Sequence, residues 1–312
     1  MPYMLNMELT KLFRIPLQLK SKKTGALGFF QIKCIRLLRI PYRFTKTHSL
    51  YTIRLEMEDL MMDSKHIEYH FKAETSDAVI VFIHGIQGSP LQFDFIIEKL
   101  NGAYSIENLL LPGHGKTASD FRSSTMTQWQ NYVDERVEKL QKEYKHIILV
   151  GHSMGGLLSI QSAVSYPEQI RGLFLIALPL RIRVSYPCIK NSLCVAFSKK
   201  DTNEIIAAAR KGNSISASNP FEYLAGIPRY IELLKKSKST RALLEKLPLP
   251  IVIVHSANDE LVSNKSLNYA KDKDNIEVIT VNDSGHYYYS QGAQEKISDT
   301  LEEFIAESIV SF

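Results

Sequence analysis

Residues 78–83 read Ala-Val-Ile-Val-Phe-Ile and residues 146–150 read His-Ile-Ile-Leu-Val, and a glycine follows within two residues of each run. These two runs constrain the fold more than any other feature of the chain. A strand without polar members has no face to offer water, so it must lie in a sheet covered on both sides, as strands of parallel sheets under helices do. Further strand patterns occur at 104–111, 173–178, 251–254 and 277–281, and rough period-two alternation marks 52–60 and 66–71 as half-buried strands. Between them, residues 90–100, 127–144, 154–166, 265–271 and 294–308 show helical periodicity. In the second of these Trp129, Tyr132, Val133, Val137 and Leu140 form the apolar stripe, and Thr125 or Thr127 is placed to cap it. Strands alternating with helices predict an α/β fold: right-handed crossovers and a mostly parallel central sheet with helices on both faces.

The alternation lapses over residues 181–248, where short helical patterns at 194–197, 204–210 and 230–247 are separated by polar loops. About 68 residues between two strands is too long for a bare connection, so a small helical subdomain is expected there. The expected organisation is a basic N-terminal extension at 1–51 and a main domain at 52–312 with 181–248 inserted. Charge follows the same divisions. Residues 1–54 carry 11 Lys and Arg against one acid, and residues 181–248 carry 13 against 5. Residues 55–180 carry 10 against 16, and residues 249–312 carry 4 against 11, so the net charge of +5 conceals alternating basic and acidic segments.

With 45% hydrophobic and 23% charged residues, the chain is neither disordered nor fibrous. It has no apolar run of about 18 residues, so no membrane-spanning helix is expected. The first residues interrupt their apolar members with charges and prolines and lack the core of a secretory signal. Cys34, Cys188 and Cys194 do not build a disulfide framework, and a cytoplasmic setting is the default expectation.

The chemistry-bearing signal is Gly151-His152-Ser153-Met154-Gly155-Gly156, set between the run 146–150 and the helix 154–166. G-x-S-x-G is common by chance; its weight comes from the strand, sharp turn and helix around it. Such a turn demands tiny residues beside the nucleophile, which Gly151 and Gly155 supply. Ser153 would then stand at the carboxyl end of the sheet on a helix N-terminus. A serine needs a base, and the base needs an orienting acid, in the chain order serine, acid, histidine. Only His255 and His286 follow Ser153. His286 lies in a loop after the last strand and is the candidate base, whereas His255 ends a strand and suits a turn-structuring role. Asp259 directly follows the strand 251–254 and is the candidate acid. Glu260 is one residue out of phase, Asp283 reads as a loop cap, and residues 172–200 contain no acid at all. An oxyanion hole needs two preorganised amides. The candidates are Met154, after the nucleophile, and Ile86, in the turn His84-Gly85-Ile86-Gln87-Gly88. His84, His114 and His152 read as structural histidines.

The ordered set Val81-Phe-Ile-His-Gly85, Leu111-Pro-Gly-His-Gly115, Gly151-His-Ser-Met-Gly-Gly156, Asn258-Asp259 and Ser284-Gly-His286 resembles the α/β-hydrolase superfamily. It is most similar to carboxylesterases and to monoacylglycerol-lipase-like or lysophospholipase-like serine hydrolases, over residues 60–312. The resemblance implies the α/β-hydrolase fold, a Ser153–Asp259–His286 triad and a helical cap, residues 181–248, between the sixth and seventh strands. It also implies hydrolysis of short- to medium-chain acyl esters or monoacyl lipids through an acyl-enzyme, with no metal and no cofactor. The chain departs from the family in the roughly 50 residues before the first strand. The alternative is a catalytically silent scaffold of the same fold, used for ligand or partner binding.

Two regions bear on partners. In the cap, Leu193, Val195, Phe197, Phe221, Tyr223, Leu224, Tyr230, Ile231 and Leu234 would either line an acyl pocket or pack the cap onto the core. In the extension, Lys33, Arg36, Arg39 and Arg43 share an arc of about 120° when drawn as a helix, among Phe29, Phe30, Ile32, Ile35 and Ile40. That segment either packs on protein or makes peripheral contact with an anionic membrane, together with the basic cap. No nucleic-acid motif accompanies the charge, so no nucleic-acid partner is expected.

Overall fold

A computed structural model describes residues 66–310 except 75, 101, 198–202, 216–221, 223–225 and 272. The chain divides into two units, Met1–Tyr51 and Thr52–Phe312, and every described residue belongs to the second. The expected strand at 52–60 and the basic extension lie outside the described residues.

Among the described residues seven strands form one sheet: β1 (Tyr69–Phe71), β2 (Ala78–Ile83), β3 (Ser105–Leu109), β4 (His146–His152), β5 (Ile170–Ile176), β6 (Ile251–Ser256) and β7 (Ile276–Val281). Their order across the sheet is β1-β3-β2-β4-β5-β6-β7. Only β1 is antiparallel to its neighbour; the others run parallel. The parallel strands therefore all end at one edge, and the loops after β2, β4, β6 and β7 meet there.

The side-chain alternation of β2 shows why its sequence has no polar member. Val79, Val81 and Ile83 enter one core with Trp129, Val133 and Val137 of a helix at Met126–Leu140. Ile80 and Phe82 enter the other with Ile297, Leu301 and Phe304 of a helix at Gln291–Val310. Both faces are thus covered, and each side chain so buried contributes about 1.5–3 kcal/mol.

Eight α-helices are described: α1 (Asp94–Leu100), α2 (Ala118–Ser123), α3 (Met126–Leu140), α4 (Met154–Ser165), α5 (Tyr186–Phe197), α6 (Glu204–Gly212), α7 (Ile227–Leu244) and α8 (Gln291–Val310). Thr125 is the cap of α3, its hydroxyl accepting from the Gln128 N–H. The segment at 265–271 is a 3-10 helix, Asn264–Tyr269, not an α-helix. β5 begins three residues before the expected 173, because Arg171 and Gly172 break the apolar pattern. Gly172 is there for packing: a Cβ would stand 2.6 Å from the Phe304 ring.

Helices α5, α6 and α7 lie between β5 and β6. α5 is three times the length expected from its pattern, and α7 starts three residues early. In both, a proline (Pro187, Pro228) occupies the first turn, where its missing N–H costs nothing. Leu233 and Leu244 bury α7 in the core. Leu193, Ile231 and Leu234 are not packed into the core: they are about half exposed, at 51%, 47% and 53%. Tyr230 is partly buried against the core, whereas the side chains of Phe197, Phe221, Tyr223 and Leu224 lie outside the described residues. Among the described residues no helix is long and apolar enough to cross a membrane.

Candidate active site

β4 runs straight into α4 through Ser153, which adopts φ 52°, ψ −118°. A left-handed φ on a residue with a Cβ is strained, and the surroundings hold it in place. The Ser153 N–H donates to Ile176 O on β5 at 2.8 Å. The two flanking glycines are sterically required. A Cβ on Gly155 would stand 1.9 Å from Ile83 O, and one on Gly151 would stand 2.5 Å from Gly156 N. The tight turn thus presses α4 against β2 and puts Ser153 at the N-cap of α4, where the helix dipole favours negative charge.

The loops after β6 and β7 bring Asp259 and His286 to the same place. The Ser153 hydroxyl and His286 Nε2 are 3.0 Å apart, and His286 Nδ1 is 2.9 Å from Asp259 Oδ2. An ionised carboxylate only accepts, so the neutral tautomer that makes both bonds carries its proton on Nδ1. The second Asp259 oxygen accepts the N–H groups of Leu261 and Val262 at 2.8 and 2.7 Å. Burial alone would raise the Asp259 pKa, but the His286 charge and hydrogen bond, with those two amides, hold it below the usual carboxylate value. Burial alone would lower the His286 pKa; the Asp259 charge and hydrogen bond outweigh it and leave the imidazole above its ordinary 6.5.

Residues set aside by sequence reasoning hold the His286 main chain. Glu260 Oε2 accepts the His286 N–H at 2.9 Å. His152 Nε2 donates to His286 O at 2.9 Å, and the Tyr289 hydroxyl donates to the same oxygen at 3.3 Å. Burial, then the neighbouring His286, pushes His152 down to about 3, so it is neutral and can serve only as a hydrogen-bonding strut. Position next to Ser153 was the available signal for His152. For Glu260 there was none, because its role depends on a loop 26 residues away. His255 pairs with Asn264 at 3.1 Å and not with the serine, and Asp283 is a left-handed turn residue with φ 50°.

On the other side of Ser153, residues 85–88 form a turn closed by Gly88 N–H donating to Gly85 O at 2.9 Å. His84 Nδ1 donates to the same oxygen at 2.8 Å, while His84 Nε2 accepts the Leu111 N–H at 3.0 Å. A trans peptide directs its C=O and N–H oppositely. Holding Gly85 O therefore aims the Ile86 N–H the other way. Burial, then nearby His114, keeps His84 neutral by pushing its pKa well below 6.5. Met154 is the first residue of α4, and its N–H has no intrahelical acceptor. A Cβ on Gly85 would stand 3.1 Å from the Ser153 Cβ, so this turn and the elbow are in direct apposition.

Comparison with known proteins agrees with this architecture. The chain is 31% identical over 116 residues to the dihydrolipoyllysine-residue acetyltransferase component of the acetoin cleaving system of Cupriavidus necator, a match covering 37% of this chain and only 30% of that protein. It is 24% identical over 197 residues to the thermostable monoacylglycerol lipase of Bacillus sp. strain H-257, covering 62% of this chain and 74% of that one. A solved structure from work on the metagenome-derived lipolytic enzymes LipS and LipT covers 77% of this chain and 97% of that one, with a TM-score of 0.61 at 20% identity, and so shares the fold. The profile of the alpha/beta hydrolase family matches residues 80–297, a span that includes all five candidate site residues. With its mostly parallel sheet, its strained serine turn and that match, the chain belongs to the alpha/beta hydrolase family.

Proposed function

We propose that this chain is a serine hydrolase that cleaves carboxylic esters through an acyl-enzyme. The observation that carries the reading is the unbroken hydrogen-bond path from Ser153 Oγ to His286 Nε2 and from His286 Nδ1 to Asp259 Oδ2, at 3.0 and 2.9 Å. In this reading Ser153 attacks the ester carbonyl carbon while His286 Nε2 takes the hydroxyl proton, and Asp259 stabilises the imidazolium so formed. The carbonyl oxygen becomes an oxyanion received by the Ile86 and Met154 amides, helped by the α4 dipole. Collapse of the tetrahedral intermediate breaks the bond to the alcohol, which leaves with the proton from His286. Water, deprotonated by the same nitrogen, then attacks the acyl-serine and releases the acid.

The substrate class proposed is a short- to medium-chain acyl ester or monoacyl lipid. The likeness to a monoacylglycerol lipase supports it, as do the apolar residues left exposed on the helices between β5 and β6: Tyr186, Ile189 and Leu193 on α5, and Ile227, Ile231 and Leu234 on α7. Residues 181–248, proposed as a cap, combine these apolar positions with 13 Lys and Arg against 5 acids. That combination suits peripheral contact with an anionic lipid surface. The deciding experiment is labelling of the folded chain with a fluorophosphonate probe. A stoichiometric adduct on Ser153, abolished in Ser153→Ala, is expected; a folded, unlabelled protein would instead establish a silent scaffold. A chain-length series of aryl esters, monoacylglycerols and lysophospholipids then separates the substrate classes.

A further inference from the structure

We propose that Ser214, which follows α6 in the region between β5 and β6, is a positioning residue for the Ile86 amide, so that the oxyanion-binding turn is complete only while this part of the chain is docked on it. The inference rests on the ester-hydrolase reading above.

Ser214 is almost wholly buried, at 4% exposure, and 126 residues separate it from the turn it touches. Its N–H donates to Gln87 O at 2.9 Å, and its hydroxyl donates to Gly88 O at 2.6 Å. Neither carbonyl is paired within the turn, whose own hydrogen bond uses Gly85 O. The path from Ser214 to the candidate oxyanion donor runs through peptide planes, each of which carries a C=O and an N–H in opposite directions. Ser214 holds Gln87 O; the same plane carries the Gly88 N–H, which donates to Gly85 O at 2.9 Å. The Gly85 plane carries the Ile86 N–H on its opposite side. Fixing Gln87 O from outside therefore fixes the Ile86 N–H two planes away, and hydrogen bonds in series reinforce one another.

The turn needs an external hold. Gln87 sits at φ 56°, a left-handed conformation that costs a residue with a Cβ on the order of 1 kcal/mol or more. Without the Ser214 hydroxyl, which also lies 3.4 Å from Gln87 O, Gly88 O loses its partner and Gln87 O keeps only the Ser214 N–H, so the strain at Gln87 favours rotation of these planes. The neighbours are arranged in the same way: Gly85 N–H donates to Gln92 Oε1 at 3.3 Å, and a Cβ on Gly212 of α6 would stand 3.4 Å from the Gln92 side chain. A contact from between β5 and β6 thus reaches the turn beside Ser153 through hydrogen bonds and not merely through apolar packing.

The test is Ser214→Ala in the full chain, assayed with p-nitrophenyl butyrate and with phenylboronic acid, whose tetrahedral serine adduct places an oxygen in the oxyanion hole. Loss of one such hydrogen bond is expected to lower kcat about tenfold, with KM changed by less than about twofold. The phenylboronic acid inhibition constant should rise by the same factor. Ser214→Thr keeps the hydroxyl and should restore kcat, while the isosteric Ser214→Val should not, and this pair decides the matter if the alanine variant fails to fold. Wild-type kcat in Ser214→Ala, equal kcat in the threonine and valine variants, or a rise confined to KM overturns the proposal. In each of those cases the variants still label with fluorophosphonate at Ser153, so the ester-hydrolase reading stands. An unlabelled wild-type protein overturns both.

Discussion

Asp259 and Glu260 are adjacent carboxylates that both reach His286, one through the imidazole and one through the main-chain N–H. Separating their contributions tests the arrangement more sharply than removing the serine does. Asp259→Asn keeps the volume but replaces a buried anion with a neutral amide, so the imidazolium formed in the reaction loses its counter-charge and the imidazole loses its orienting acceptor. In triads of this type that loss is worth about 10⁴ in kcat. Glu260→Ala keeps the Asp259 hydrogen bond to the imidazole, takes away a charge that acts on it more weakly than Asp259 does, and removes one charged acceptor from a backbone N–H, a bond of about 1.5–3 kcal/mol when it is sealed from water. Glu260 is half-buried, so water can replace part of it, and about 1–2 kcal/mol is the expected loss. Even if all of that loss appears in the transition state, kcat falls only about 5- to 30-fold at 1.4 kcal/mol per factor of ten. Glu260→Gln retains an acceptor oxygen and should lie nearer the wild type. The assay is steady-state hydrolysis of p-nitrophenyl butyrate, with thermal unfolding of each variant to show that it is folded. A loss in Glu260→Ala as large as that in Asp259→Asn, or an Asp259→Asn variant within tenfold of wild type, would refute the assignment.

In the proposed mechanism His286 must be neutral to accept the serine proton, and Asp259 holds its pKa above 6.5. kcat/KM should therefore fall as pH drops through a midpoint above 6.5. In Asp259→Asn, with burial left to dominate, the midpoint should move below 6.5, and a midpoint that stays or rises counts against the pairing. Gly155→Ala sets a Cβ 1.9 Å from Ile83 O on a central strand and should cost on the order of 3 kcal/mol or more, read as a loss of Tm or of soluble protein. Gly292→Ala, with nothing within 4 Å of the new Cβ on α8, should be neutral or stabilising by up to about 1 kcal/mol. Ile231→Glu combined with Leu234→Glu should reduce co-sedimentation with anionic phosphatidylglycerol vesicles severalfold while leaving hydrolysis of p-nitrophenyl butyrate unchanged. Unaltered co-sedimentation would remove α7 from the proposed lipid-facing surface, and binding that does not weaken with added salt would remove the electrostatic part.

Wherever function resides in one short stretch of chain, sequence alone was sufficient. The run 78–83 and the turn at Ser153 are local, because steric demand acts between near neighbours: Gly151, Gly155 and the serine between them are legible together. Where a role depends on chain returning from far away, the local pattern carried little. Glu260 looked misplaced beside Asp259 until the loop after β7 supplied a backbone N–H for it. Likewise α5 and α7 begin before the apolar patterns at 194–197 and 230–247, with Pro187 and Pro228 accommodated in their first turns. That Leu193, Ile231 and Leu234 stay exposed was not legible, because hydrophobicity does not say which way a helix face is turned.

By itself the sequence determined that the chain forms a parallel sheet covered on both faces, with a serine forced onto a strained turn, since these follow from apolar periodicity and from the volume of a glycine. Which residues gather around that serine was decided only by tertiary structure. Parallel strands end at a common edge, and it is their order across the sheet, not their order along the chain, that brings His286 to the Ser153 hydroxyl, with Asp259 and Glu260 behind His286 and the turn at 85–88 beside the serine.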